Sequence, residues 1–178
     1  MEVRETDLDG CYIIAPKIIE DSRGHFFEAF NELEFSKLLG QKVNFVQDNQ
    51  SFSSYGVIRG LHAQAGDYAQ AKLVRVLQGE VLDVAVDARS GSRTFGKHVA
   101  VRLSAKNKRQ LFIPRGFLHG FAVLSDTAEF FYKCDNFYNK ESEQGALYNS
   151  AALNIDWIVP ECDRKIAQRD LDLPPLGF

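Results

Sequence analysis

The sequence predicts an all-β fold, a jelly-roll β-sandwich or barrel with a few peripheral helices. Three observations carry that expectation. Segments in which apolar residues alternate with polar ones recur through the middle of the chain, turn signals separate them at short intervals, and most neighbouring segments lack the intervening helix that a parallel α/β sheet requires. At 178 residues, 45% hydrophobic and 25% charged, residues 1–178 are expected to form a single domain. No Pro/Gly-rich seam, low-complexity stretch or fixed-period repeat divides them.

Taken in order, "NELEFSKLLGQ" is the clearest helix. Asn31 is placed to cap it, Glu34 stands where the acid of a capping box belongs, and Gly40 follows Leu38 and Leu39 as a stop. "KLVRVLQGEVLDVAVDAR" reads as a hairpin turning at Gly79, with Leu82, Val84 and Val86 alternating against Asp83, Ala85 and Asp87. "HVAVRLSAKNKRQLFIPRG" repeats the arrangement: Val99, Val101 and Leu103 alternate with polar partners, "SAKNK" turns, and a further strand runs through Ile113. "FAVLSDTAEFFYKC" is a third such unit.

The net charge of −3 argues against a general nucleic-acid or membrane binder, although a small anionic ligand needs only a local cluster of arginine and lysine. Cys11, Cys134 and Cys162 are odd in number, widely spaced and without C-x-x-C, so neither a disulfide framework nor a zinc ribbon is indicated. "MEVRETDLDG" lacks the layout of a signal peptide, and no apolar run approaches the roughly 20 residues that span a bilayer. A cytoplasmic protein is expected.

A jelly roll can hold a ligand in its mouth, so polar residues at inward strand positions are the candidates for chemistry. His62 lies in "GVIRGLHAQ" close to Arg59 and Gln64, and His119 follows the turn shaped by Pro114 and Gly116 in "IPRGFLHGF". Cupin-type jelly rolls commonly bind metal through an H-x-H pair, but Gln64 stands where the second histidine would be, and a neutral amide competes poorly for zinc or iron. The expectation is a metal-free pocket in which histidine does proton chemistry. Each candidate has a plainer reading. Tyr132 fits a barrel aromatic, Lys72 a strand-edge charge and Arg23 in "DSRG" a turn residue. His25 and His98 have no motif support. For Asp83 and Asp87 a polar sheet face or an interior hydrogen-bond network is favoured over catalysis.

"DSRGHFFEAF", "FVQDNQSFSSYGVIRGLHAQ", the long block from "QAKLVRVLQGE" through "FFYKC", and "FYNKESEQG" resemble successive blocks of the dTDP-4-dehydrorhamnose 3,5-epimerases over nearly the whole chain. The resemblance implies the cupin jelly roll and a cofactor-free epimerisation at two carbons flanking a ketone. It implies His62 as base, Asp170 in "AQRDLDLPP" as the carboxylate orienting its imidazole, Tyr132 as the opposing acid and Lys72 as the cation beside the sugar oxygen. Arg59 is then expected to face the diphosphate, and Arg23, Glu28, Gln47, Asp48, Asn49, His119, Tyr138, Glu143 and Arg169 to hold the nucleotide or sugar. The implied partners are a dTDP-sugar and a second copy of the chain in a homodimer, with no metal, nucleic acid or membrane. The family often carries other residues where Tyr148 and Ser150 stand, and lysine where Arg169 stands. Asp172, two residues past Asp170, is an alternative partner for His62. Two functional alternatives stay open: a C3-only or C5-only epimerase of a related dTDP-4-keto-6-deoxy sugar, and a sugar-binding cupin without turnover.

Overall fold

The computed structural model describes residues 1–176. In chain order the strands are β1 (Glu2–Glu5), β2 (Tyr12–Ala15), β3 (Ile19–Asp21), β4 (Gly24–Phe26), β5 (Gln47–Ser54), β6 (Val57–Gln64) and β7 (Lys72–Gln78). They continue as β8 (Glu80–Asp87), β9 (His98–Ser104), β10 (Gln110–Ile113), β11 (Phe117–Val123), β12 (Thr127–Cys134), β13 (Glu143–Gly145) and β14 (Lys165–Ile166). Helix α1 (Glu32–Leu39) lies between β4 and β5, and the short α2 (Gln168–Leu171) follows β14. Among the described residues no helix is long and apolar enough to cross a membrane.

The fold is the expected all-β jelly roll. One sheet has the order β1-β2-β10-β7-β12-β5 and the other β13-β6-β11-β8-β9, with β14 added parallel to β6. The sheets bury their facing sides against each other: Val74, Val76, Leu111, Ile113 and Phe130 of the first meet Val81, Ala85, Val101, Leu103 and Phe121 of the second. The outer side of the second sheet, with Leu82, Val84 and Val86, is covered by Tyr148, Leu153, Trp157 and Val159 of the C-terminal segment. Both faces of β8 are therefore buried. Asp87 there accepts from Arg89, Ser92 and Thr94, an interior hydrogen-bond network of the kind its alternation allowed.

Helix α1 covers the outer side of the first sheet. Asn31 Oδ1 accepts from the backbone N–H groups of Leu33 and Glu34 at 3.0 and 3.2 Å, and Gly40 closes the helix at φ +66°. Phe35 is its buried anchor, packed on Phe30, Phe45 and Phe112. Burying one such ring contributes roughly 1.5–3 kcal/mol.

The three expected hairpins are a correction. The strands exist, but β7 pairs with β10 and β12 whereas β8 pairs with β9 and β11. β9 and β10 also belong to different sheets, as do β11 and β12. Each turn carries the chain across the sandwich instead of folding it back within a sheet. Alternation reports which way side chains face, not which strand is the neighbour, so a crossing turn and a hairpin turn look alike in sequence. At Gly79 (φ +80°) an added Cβ would collide with the Thr127 carbonyl oxygen, so this crossing requires glycine.

Candidate active site

One end of the space between the sheets is polar. From the first sheet, β5 turns Gln47, Asn49 and Ser51 toward it, β7 supplies Lys72 and β12 supplies Tyr132. From the second come Arg59, His62 and Gln64 of β6, His119 of β11 and Glu143 of β13, while α2 adds Arg169. Two adjoining cavities of 360 and 170 Å³ share His62, Lys72, Tyr132 and Arg169 in their walls.

Simple alternation cannot place Arg59 and His62 on one side of a strand, because they are three residues apart. A β-bulge does so. His62 pairs with His119 and Arg59 with Phe121, so Gly60 and Leu61 on β6 oppose Gly120 alone on β11. Gly60 sits at φ +112°, and a Cβ there would lie 2.6 Å from the Gly120 Cα. The bulge therefore requires glycine at the point where it re-aims Arg59, whose Nε donates to Ser53 Oγ at 3.2 Å.

Asp170 is 2% exposed and sits beside His62. Its Oδ1 lies 2.9 Å from His62 Nε2, and its Oδ2 accepts from the Gly60 backbone N–H at 3.2 Å. The backbone bond fixes the carboxylate and the carboxylate fixes the imidazole, which leaves Nδ1 free of any hydrogen bond among the described residues. Burial pushes the His62 imidazole below the ordinary histidine range, against the opposing charge and hydrogen bond of Asp170 and the charge of Glu143. A neutral, oriented imidazole is in the state a base requires. Asp172 accepts from Gln168 Nε2 at 2.8 Å on the exposed side, so the partner of His62 is Asp170.

Tyr132 reaches the cavities from the opposite sheet. Burial raises its phenol above the ordinary tyrosine range, which keeps it protonated. The Lys72 ammonium stands 5.8 Å from the Tyr132 ring centroid. Burial lowers the Lys72 amine, while Cys134, Asp83 and Glu143 hold it up. At the rim, Tyr138 donates to Glu143 Oε2 at 3.0 Å, Glu143 lies 3.7 Å from Arg169, and Gln47 Oε1 accepts from the Tyr138 backbone at 3.1 Å.

Three residues expected at the site do not line it. Asp48 has the opposite facing to Gln47 and Asn49 and pairs with Lys133 at 2.9 Å on the outer side of the sheet. Arg23 pairs with Asp21 at 2.7 Å on the β3–β4 ribbon, beside a separate 440 Å³ cavity that also includes His25. Glu28 accepts from Asn31 Nδ2 at 3.2 Å. Tyr148 and Ser150, where the family often carries other residues, are buried behind the second sheet: Tyr148 O accepts from Trp157 Nε1 and Ser150 Oγ from the Leu176 backbone. His98 also lies outside both cavities.

Gln64 lines the pocket, but its Oε1 is taken by the Asn139 backbone N–H at 2.8 Å, and no group of three His, Cys, Asp or Glu among the described residues is placed to hold a metal. Sequence reasoning missed Gln70 and Ser51 in the walls; the interior hydrogen bond it allowed Asp83 is made at 2.8 Å with His119, a partner it did not name. The signal for Asp83 was present: a charged residue on the same strand face as Ala85, in a strand apolar on its other face.

A family described as dTDP-4-dehydrorhamnose 3,5-epimerase matches residues 5–177. A relative of that name from Shigella flexneri is 56% identical over 159 residues, covering 89% of this chain and 88% of its own. Among solved structures, a dTDP-6-deoxy-D-glucose-3,5-epimerase from Legionella pneumophila Philadelphia 1 in complex with dTDP-4-keto-L-rhamnose is 48% identical, with a TM-score of 0.94 over 98% of this chain and 92% of its own. A 3'-monoepimerase from Streptomyces bikiniensis in complex with dTDP-quinovose is 29% identical, with a TM-score of 0.89 over 96% of this chain and 85% of its own. With the jelly roll, the imidazole–carboxylate pair of His62 and Asp170 and a match over almost every residue all in agreement, the chain belongs to the dTDP-4-dehydrorhamnose 3,5-epimerase family.

Proposed function

We propose that this chain epimerises dTDP-4-keto-6-deoxy-D-glucose at C3 and C5 to dTDP-4-keto-L-rhamnose, by proton removal on one face of the sugar and proton return on the other. The observation that carries the reading is the opposition of His62, backed by Asp170, to Tyr132 on the facing sheet across shared cavities. The cavities between them, 360 and 170 Å³, leave room for a sugar ring between these side chains.

The C4 ketone acidifies the hydrogens at C3 and C5, because the electron pair left behind delocalises onto the carbonyl oxygen. His62 Nδ1 takes the proton, the enolate oxygen develops beside the Lys72 ammonium, and the Tyr132 hydroxyl delivers a proton to the other face of the carbon. Solvent then reprotonates the phenolate and takes the proton from His62. Asp170 holds the imidazole during the transfer and stabilises the cation that forms. Arg59 and Arg169 suit the diphosphate, and Gln47, Asn49, His119, Tyr138 and Glu143 the sugar and nucleoside.

The homodimer and a cytoplasmic location belong to this proposal. What supports a second copy is the β3–β4 ribbon: Arg23 and the 70% exposed Phe26 stand apart from the two cavities that His62 and Tyr132 line.

The test is incubation with dTDP-4-keto-6-deoxyglucose in deuterated water, followed by assignment of deuterium and product stereochemistry. Deuterium with inversion at C3 and C5 is expected. Inversion at one carbon alone would make the chain a monoepimerase, and no exchange at either would make it a sugar-binding cupin.

A further inference from the structure

Beside the His62–Asp170 pair lies a second pair of the same chemistry, His119 with Asp83, and the reaction above gives Asp83 no part. His119 is the direct cross-strand partner of His62. Its Nε2 lies 2.8 Å from Oδ1 of Asp83, and a carboxylate only accepts, so the imidazole carries its proton on that nitrogen. Asp83 is 0% exposed and His119 7%. Val81 and Ala85, on either side of Asp83 along β8, face the apolar core, and Asp83 Oδ2 is buried with no hydrogen-bond partner. A fully buried carboxylate that is only half satisfied is costly to keep, and such a group calls for an explanation.

Lys72 supplies one. Its ammonium makes no hydrogen bond among the described residues; of the groups that hold it up, Cys134, Asp83 and Glu143, the Cys134 thiol is itself pushed up to about 11 by burial and is uncharged at neutral pH, which leaves the charges of Asp83 and Glu143. Facing it are His62 and Arg59 of β6, His119 of β11, Tyr132 and Cys134 of β12, Glu143 of β13, Arg169 of α2 and Asp83 of β8. Of the two carboxylates among these, Glu143 is exposed and screened by water, whereas Asp83 is sealed inside.

We propose that Asp83 is a positioning residue for the epimerisation: it holds His119 with Nε2–H turned inward and Nδ1 turned to the pocket, and it supplies the fixed negative charge that keeps Lys72 an ammonium. The inference rests on the reading of Lys72 as the partner of the enolate oxygen. Asp83 touches neither the sugar nor the nucleotide; it acts through the two side chains that do.

Asp83→Asn keeps the shape and removes the charge. Lys72 then loses its proton at lower pH, so the alkaline limb of kcat moves to lower pH. A fall in kcat of about 10–100-fold is expected, as for other groups that orient a reactive partner, with KM changed less than about threefold. Two measurements need no turnover. The titration of Lys72, followed by the carbon resonance of its side chain in parent and variant, should fall in the variant; the same midpoint in both proteins would overturn the proposal. The nitrogen spectrum of the parent should place the His119 proton on Nε2; a proton on Nδ1 would overturn it even if the variant fails to fold. Absence of deuterium exchange in the parent would instead remove the epimerase reading, and these two spectra would still decide the role of Asp83.

Discussion

The space between the two sheets is filled in two ways by the same strands. On β7, Val74 and Val76 belong to the apolar core and Lys72, the next residue of that facing, belongs to the pocket. On β12, Ala128 and Phe130 lead to Tyr132, and on β11, Val123 and Phe121 lead to His119. Each chemical side chain thus stands one pleat from a buried apolar one on a hydrogen-bonded strand. Its direction is set by packing that takes no part in the reaction. The apolar end supplies rigidity, and the polar end includes His62, Lys72 and Tyr132, whose proton affinities burial has shifted.

That division is broken most severely at the polar end. His62→Ala should lower exchange at both carbons by about 10³-fold, since a positioned base is worth 10²–10⁴, while dTDP binding measured by calorimetry stays close to that of the parent. Parent-like exchange in this variant would take the base role from His62. At the apolar end, Leu111→Ala should cost about 2–5 kcal/mol of stability in denaturant unfolding, with kcat per folded molecule nearly unchanged. A large loss of kcat without loss of stability would show that the two ends are not separable in this way.

Asp170→Asn sharpens the comparison, because its effect is chemical and directional. Asp170 raises the His62 pKa against the lowering by burial. Without that charge the imidazole is protonated only at lower pH, so the acid limb of kcat/KM should move to lower pH while the rate falls about 10–100-fold. An acid limb that stays in place or moves upward would mean that Asp170 does not act on the group that titrates there.

The same contrast governs what the sequence made legible. The apolar end was readable as alternation, and α1 as the cap and stop that Asn31 and Gly40 provide. Sheet membership was not readable, because the turn at Gly79 looks the same whether the chain returns within a sheet or crosses to the other. At the polar end His62 and His119 were marked by their neighbours in "GLHAQ" and "IPRGFLHGF". Arg59 shares their pocket only through a two-against-one bulge that strict alternation forbids. Asp48 was expected beside Gln47 and Asn49 from the family resemblance, although its facing on β5 sends it outward to Lys133. Asp170 and Asp172 could not be told apart by proximity in sequence. On a helical turn two residues differ by about 200° in direction, so only one of them meets His62.

If base and acid come from opposite sheets, Tyr132→Phe should separate their two roles. The substitution removes one oxygen and keeps the ring that packs beside Phe130. Reaction of this variant with dTDP-4-keto-6-deoxyglucose in deuterated water separates the two halves of the chemistry, because exchange on the His62 face needs no donor opposite. Deuterium at C3 or C5 is expected, with inverted product reduced by about 10²-fold or more. Inversion at the parent rate would contradict it and leave Tyr132 a packing residue of the barrel wall.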